Sequence, residues 1–158
     1  MKALHYFKKF ESWHYSIAQK WGVTVLRYSL AIIYIWFGIL KPLGISPACE
    51  LITQSVTWFS PKWFIPLLGI GEVFIGLLLL FRRTVRYAVL LIYLHLPCTF
   101  LPFLVTPTSS FSDSIFELTL AGQYMVKNVT LIAAAFFITG ASLKGKKNEL
   151  ASLRNNLS

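Results

Sequence analysis

A few charged or strongly polar side chains interrupt apolar segments of this 158-residue chain, and Glu72 is the clearest of them. It stands near the middle of an apolar run, residues 63–81. A carboxylate at the centre of a membrane helix costs roughly 2.5–3.5 kcal/mol on insertion scales, so such a group usually has a partner or faces an internal cavity. We expect Glu72 to pair with Lys127. The expected neighbours of that pair are His95, Asn128 and Gln123.

Two uses of this cluster are open. A single ion pair can serve only to fix the register of the helices. Convergence of several polar side chains from several helices instead favours a polar cavity that binds a small molecule. His95 is either a hydrogen-bonded link between helices or a proton relay or ligand contact. No residue is assigned a catalytic role.

The first apolar block carries its polar groups on one stripe. Arg27, Tyr34 and Lys41 are spaced by seven residues, which places them on one face of a helix. The economical arrangement turns this face inward. The second block contains three small residues that should let a neighbouring helix come close, namely Gly69, Gly71 and Gly76.

Neither a metal site nor a haem site is expected. His5, His14 and His95 are far apart in any sensible topology, and only His95 lies at membrane depth. Free thiols are favoured over a disulfide between Cys49 and Cys98, although whether they pair is left open. Cys98 is expected to be a buried, inert thiol.

The elements that must position these groups are four apolar blocks. The composition is 56% hydrophobic and the mean hydropathy is +0.62. Each block has about 20 residues, the length of a helix that crosses a hydrocarbon core of about 30 Å. The sequence therefore predicts an all-α integral membrane four-helix bundle. The predicted helices are about 23–43, 62–81, 85–105 and 120–142.

The flanking segments have their own patterns. Residues 1–22 alternate apolar and polar groups with helical period, and predict an amphipathic helix at the membrane interface. The pattern of the 45–61 segment indicates a short helix. In the third spanning helix, Pro97 and Pro102 should kink or loosen the backbone. Residues 143–158 should form a basic tail that frays.

The net charge of +9 is arranged as a topology signal rather than as a nucleic-acid surface. With the N-terminus inside, the three inner segments hold eleven basic residues and two acidic ones, and neither outer segment is basic. The positive-inside rule then predicts that both termini are cytoplasmic. The basic segments are expected to interact with the anionic lipids of the bilayer.

Three short motifs in chain order resemble the DoxX-like family of membrane proteins. They are Leu-Arg-Tyr-Ser-Leu and Phe-Gly-Ile-Leu-Lys within residues 26–41, Gly-Ile-Gly-Glu-Val-Phe-Ile-Gly at 69–76, and Gly-Gln-Tyr-Met-Val-Lys-Asn at 122–128. The similarity covers about residues 23–142. The positions that match the family motifs are Arg27, Lys41, Glu72, Lys127 and Asn128.

This resemblance implies a four-helix inner-membrane fold and a role in redox or oxidative-stress physiology. Some relatives are membrane subunits of a thiosulfate:quinone oxidoreductase. The leading hypothesis is therefore binding of a quinone, with no covalently bound cofactor and with a separate redox partner. The alternatives are a transporter of a small solute or proton and a non-catalytic membrane subunit. Enzymatic activity, the ligand and the oligomeric state, including a homo-oligomer, are left open.

Overall fold

Four long helices and three short ones make up the computed structural model. The structure describes residues 2–46, 48–56, 60–112, 114 and 116–155, with side chains between residues 6 and 142. In chain order the helices are α1 (Lys2–Leu40), α2 (Ala48–Ser55), α3 (Pro61–Leu80), α4 (Val85–Cys98), α5 (Leu101–Val105), α6 (Pro107–Ser110) and α7 (Leu120–Asn155).

The described residues contain four helical stretches that are long and apolar enough to cross a membrane. The prediction of an all-α chain with four potential membrane spans is confirmed at this level. The first of these stretches also takes in a large part of the segment predicted to lie at the interface. The four stretches are Tyr6–Leu40, Pro61–Leu80, Val85–Val105 and Leu120–Ser142.

The long helices pack in a ring, in which α1 contacts α3, α3 contacts α4, α4 contacts α7, and α7 contacts α1. We call the end that carries α2, α5 and α6 the capped end. The opposite end, where the 81–84 link joins α3 to α4, is the hairpin end. The apolar core is richest towards the hairpin end. Its most fully buried members are Ala31, Leu79, Ala88, Ile92, Ala135 and Ile138.

Glycines bring α1 and α3 into very close contact. A Cβ placed on Gly69 would lie 2.5 Å from the carbonyl oxygen of Gly38, and one on Gly76 would lie 2.6 Å from a side-chain carbon of Ile35. Neither position has room for a side chain. Gly71 differs, because a Cβ there would meet nothing within 4 Å. The expectation of close approach is therefore wrong for Gly71, which lies off the face that α1 covers.

Two observed boundaries differ from the sequence-based expectations, and a third feature agrees with them. Helix α1 has no break near residue 22, since no proline interrupts its backbone hydrogen bonding between Lys2 and Leu40. Helix α7 runs to Asn155 instead of fraying after 142, in a stretch dominated by the strong helix formers Lys, Leu, Glu and Ala. The third spanning segment is interrupted at 99–100, between α4 and α5, as its two prolines predict.

The turn after α1 depends on a left-handed glycine. Gly44 has a φ of +71°, and its N–H donates to the Lys41 carbonyl oxygen at 3.0 Å, while the Ile45 N–H donates to the Leu40 carbonyl oxygen at 3.2 Å. These bonds satisfy carbonyls that the end of a helix leaves without partners. The predicted short helix of the 45–61 segment follows as α2.

Candidate functional site

A cavity of about 690 Å³ lies at the capped end of the bundle. Its walls come from α1, α3, α4 and α7, with α2 and α5 closing over it, and most of the lining side chains are apolar. Polar groups enter it at a small number of places. They include Tyr34, Lys41, Glu72, His95, Lys127 and Asn128.

Glu72 is held by two side chains from two different helical segments. Its Oε2 pairs with Nζ of Lys41, and its Oε1 lies 3.0 Å from Nε2 of His95. Glu72 and Lys41 are only 8% and 6% exposed. Because a nearby opposite charge offsets the desolvation of a buried carboxylate, the pair accounts for how Glu72 can lie inside the bundle.

The predicted pairing of Glu72 with Lys127 is wrong, and the packing of α3 explains why. Gly69, Glu72 and Gly76 are three and four residues apart, so they share one face of α3. That face is the one that α1 covers, with the backbones almost in contact. Lys41, at the end of α1, is therefore the cation that Glu72 meets.

Tyr34 adds an unsatisfied hydroxyl to the same region. Its ring lies edge-on to the His95 ring, with the centroids 6.0 Å apart and an interplanar angle of 64°. Its Oη is buried and has no hydrogen-bond partner among the described residues. Leaving a buried hydroxyl without a partner costs about 1–3 kcal/mol, so this group is suited to a ligand atom or a water molecule.

Two of the three predicted site residues of α7 line the cavity, and the third does not. Asn128 lines the cavity, and its Nδ2 donates to Oγ1 of Thr99 at 2.8 Å. Lys127 also lines the cavity, and its Nζ lies 4.9 Å from the centroid of the Tyr124 ring. Gln123 does not line it; this side chain is exposed and donates to the Leu118 carbonyl oxygen at 3.4 Å.

Thr99 is a contributor that the sequence analysis missed. It follows α4 directly, where the backbone turns between Pro97 and Pro102. Its Oγ1 donates to the Leu96 carbonyl oxygen at 2.6 Å and accepts from Asn128. A hydroxyl residue at a proline-induced break was the available signal, because such a side chain can bond carbonyls that the break releases.

Arg27 lies apart from the cavity. It is 5% exposed, and its Cζ lies 4.9 Å from the centroid of the Tyr28 ring. Its Nε is buried without a hydrogen-bond partner in the described part of the chain. The stripe of Arg27, Tyr34 and Lys41 is buried throughout, but only its last two members reach the candidate site.

Both cysteines are free thiols. Cys98, the last residue of α4, is exposed rather than buried, and it lines the cavity. Its Sγ lies 3.4 Å from the Leu94 carbonyl oxygen. Cys49, on α2, is partly exposed. Among the described residues, no group of three or more His, Cys, Asp or Glu side chains is placed to hold a metal ion.

Comparisons of the chain with known protein families, with curated proteins and with solved structures found no match. The resemblance of its three motifs to DoxX-like proteins therefore stays a prediction. What the structure itself offers is a membrane-type helical bundle with one polar cluster, Lys41, Glu72 and His95, at the edge of a largely apolar cavity.

Proposed function

We propose that this protein is an integral membrane protein that binds a quinone or a similar small molecule in the cavity, within a redox or oxidative-stress pathway. The observation that carries the proposal is the position of the buried Glu72 cluster beside a mostly apolar cavity of about 690 Å³. Small-molecule sites typically have volumes of roughly 300–1,000 Å³, apolar walls and a few fixed polar groups. A quinone, with a flat apolar ring and two carbonyl oxygens, matches such a site.

Tyr34 is the residue best suited to a ligand carbonyl. Tyr34 lines the cavity, and its buried hydroxyl has no hydrogen-bond partner among the described residues, so an oxygen atom of the ligand that reached it would satisfy it. His95 stands beside it, held by Glu72 through Nε2. This arrangement lets the imidazole take up or release a proton next to the ligand. A bound quinone would supply the redox chemistry, while these residues would orient it and handle protons.

The proposal includes the orientation of the bundle and the need for a partner. The excess of basic residues near both termini and in the 81–84 link supports cytoplasmic termini in a bacterial inner membrane. The capped end and its cavity would then face the outer half of the bilayer. Electrons would reach or leave the quinone through a second redox protein, with this chain as the membrane subunit.

Binding measurements on the purified protein test this function. A short-chain quinone should bind saturably, and an acyclic compound of similar size and polarity should not. Tyr34→Phe should weaken quinone binding by about tenfold, because it removes a hydrogen bond of roughly 1 kcal/mol or more to the ligand. Tyr87→Phe is the matched control, since Tyr87 is exposed and lies outside the cavity. Absence of ring-dependent binding would contradict the proposal.

A further inference from the structure

Lys127 is a second cation at the cavity, and its situation differs from that of Lys41. It lies within the potential membrane span Leu120–Ser142 and lines the cavity. The described residues include no acidic side chain within ion-pair distance of its Nζ. Lysine within a membrane span is rare and usually paired, so an unpaired one beside a cavity indicates a binding role.

The carboxylates that line the described part of the cavity do not neutralise Lys127. Glu72 already has one oxygen on Lys41 and the other on His95. Glu50 lies on α2, where its Oε1 accepts from Nε2 of Gln54 at 3.4 Å. The cavity wall therefore carries a positive charge that the described chain leaves uncompensated.

The contact that Lys127 makes is with an aromatic ring and leaves its charge without a counter-ion among the described residues. The Tyr124 ring, one turn away on α7, lies 4.9 Å from Nζ, a distance at which the face of the ring attracts a cation. The hydrogen bond from Asn128 to Thr99 ties α7 to the end of α4 at the same level. Lys127 is thus an exposed lysine that lines the cavity beside its apolar walls.

We propose that the ligand of this cavity is an amphipathic anion, with an ionised oxygen that pairs with Lys127 and an apolar body that fills the remaining space. This inference rests on the proposed function and narrows it, because it favours an acidic ring compound over a neutral one. The apolar walls disfavour a small hydrophilic anion, which would lose its hydration without gaining contacts.

Two ring compounds that differ in charge provide the test. The neutral probe is 1,4-naphthoquinone, and the charged one is its 2-hydroxy derivative, which is ionised at neutral pH. The wild-type protein should bind the ionised probe about tenfold more tightly, as expected for a hydrogen bond to a charged group. Lys127→Gln should abolish this preference and Lys127→Arg should keep it. Lys62→Gln is the matched control, because Lys62 is exposed on α3 and does not line the cavity.

The outcomes separate this inference from the function on which it rests. Equal binding of both probes to the wild type, or a preference that survives in Lys127→Gln, overturns the inference and leaves quinone binding intact. If neither quinone binds, the quinone proposal fails, and 2-naphthoate becomes the probe. If 2-naphthoate then binds and this binding requires Lys127, the anion inference stands without the quinone proposal. If 2-naphthoate does not bind either, the anion inference is overturned too. The wild-type comparison needs no variant, so it holds even where a substitution prevents folding.

Discussion

At the scale of single residues, Glu72 stands out because both of its oxygens are occupied by partners from the same chain. Lys41 holds one oxygen and His95 the other. An ion pair buried in this way contributes little over a well-packed apolar pair, but removing one partner strands a charge. The cluster therefore makes the structure sensitive to single substitutions and more tolerant of paired ones.

Lys41→Met should destabilise the protein by about 3–5 kcal/mol, because it leaves Glu72 buried without its cation. Lys127→Met should leave stability almost unchanged, since Lys127 has no acidic partner among the described residues. Thermal or detergent-induced unfolding of the purified protein measures both. A larger loss for Lys127→Met than for Lys41→Met would show that Glu72 has a different partner in the membrane.

A charge exchange tests whether the pair is only structural. The double variant Lys41→Glu/Glu72→Lys should recover part of the stability that either single variant loses, because opposite charges again face each other. It should not recover ligand binding, since His95 would then lie beside an ammonium group. Recovery of binding together with stability would show that the pair only organises the helices.

Much of this chemistry can be predicted from the sequence, but the identity of the pair cannot. A carboxylate in an apolar run predicts burial and a partner, and Glu72 has both. Counting residues along the helices gives the depth of each side chain in the membrane, but it leaves several cations as candidate partners of Glu72. The direction of Glu72 decides among them, and the signal for direction was its common face with Gly69 and Gly76.

At the scale of elements, the contact of α1 with α3 determines the geometry of the site. The approach at Gly38 and Gly69 leaves no room for a side chain, and it brings the end of α1 to the level of Glu72. Small residues allow such packing between membrane helices, where dispersion and backbone contacts replace the hydrophobic effect. Any increase in this spacing should also lengthen the contact between Lys41 and Glu72.

Gly69→Ala and Gly71→Ala make a matched pair on α3. Gly69→Ala should destabilise the protein by about 1–3 kcal/mol, because the new methyl group overpacks against the backbone of α1. Gly71→Ala should be neutral or should stabilise α3 by up to about 1 kcal/mol, since its Cβ meets nothing and alanine favours the helix. Unfolding experiments distinguish them, and equal effects would contradict this helix contact.

Helix ends show what local sequence can and cannot reveal. Pro97 and Pro102 predict the interruption between α4 and α5, because proline cannot continue helical hydrogen bonding. The bond between Thr99 and Asn128 joins residues 29 positions apart, and no local pattern predicts it. Local signals thus locate the break in the helix, and the packing of α7 against α4 determines which side chain bonds to the residues at the break.

At the scale of the whole molecule, the two ends of the bundle are built differently. Apolar side chains fill the interior towards the hairpin end, and the cavity occupies the capped end. The short helices α2 and α5 lie over the cavity, and Oγ of Ser55 lies 3.0 Å from Oγ1 of Thr106. The interior is thus filled towards one end and hollow towards the other.

Thiol labelling tests the orientation proposed for the molecule. In a Cys98→Ser background, Cys49 on α2 should react with a membrane-impermeant maleimide in intact bacterial cells, or in spheroplasts. An Arg83→Cys variant that lacks both native cysteines should react only after the inner membrane is permeabilised, because the hairpin end should face the cytoplasm. The reverse pattern would show that the bundle has the opposite orientation.

Helix α1 also links the two ends of the molecule, because its backbone is unbroken from Lys2 to Leu40. In a continuous helix the angular positions of all side chains are fixed relative to one another. The exposed aromatic side chains near the N-terminus, which include Trp13 and Trp21, therefore have set angles to the end of α1 that leads into Lys41. Whatever turns those side chains towards a lipid surface or a protein also sets the direction from which Lys41 approaches Glu72. Rotation of this one helix would therefore couple the N-terminal segment to the Glu72 cluster.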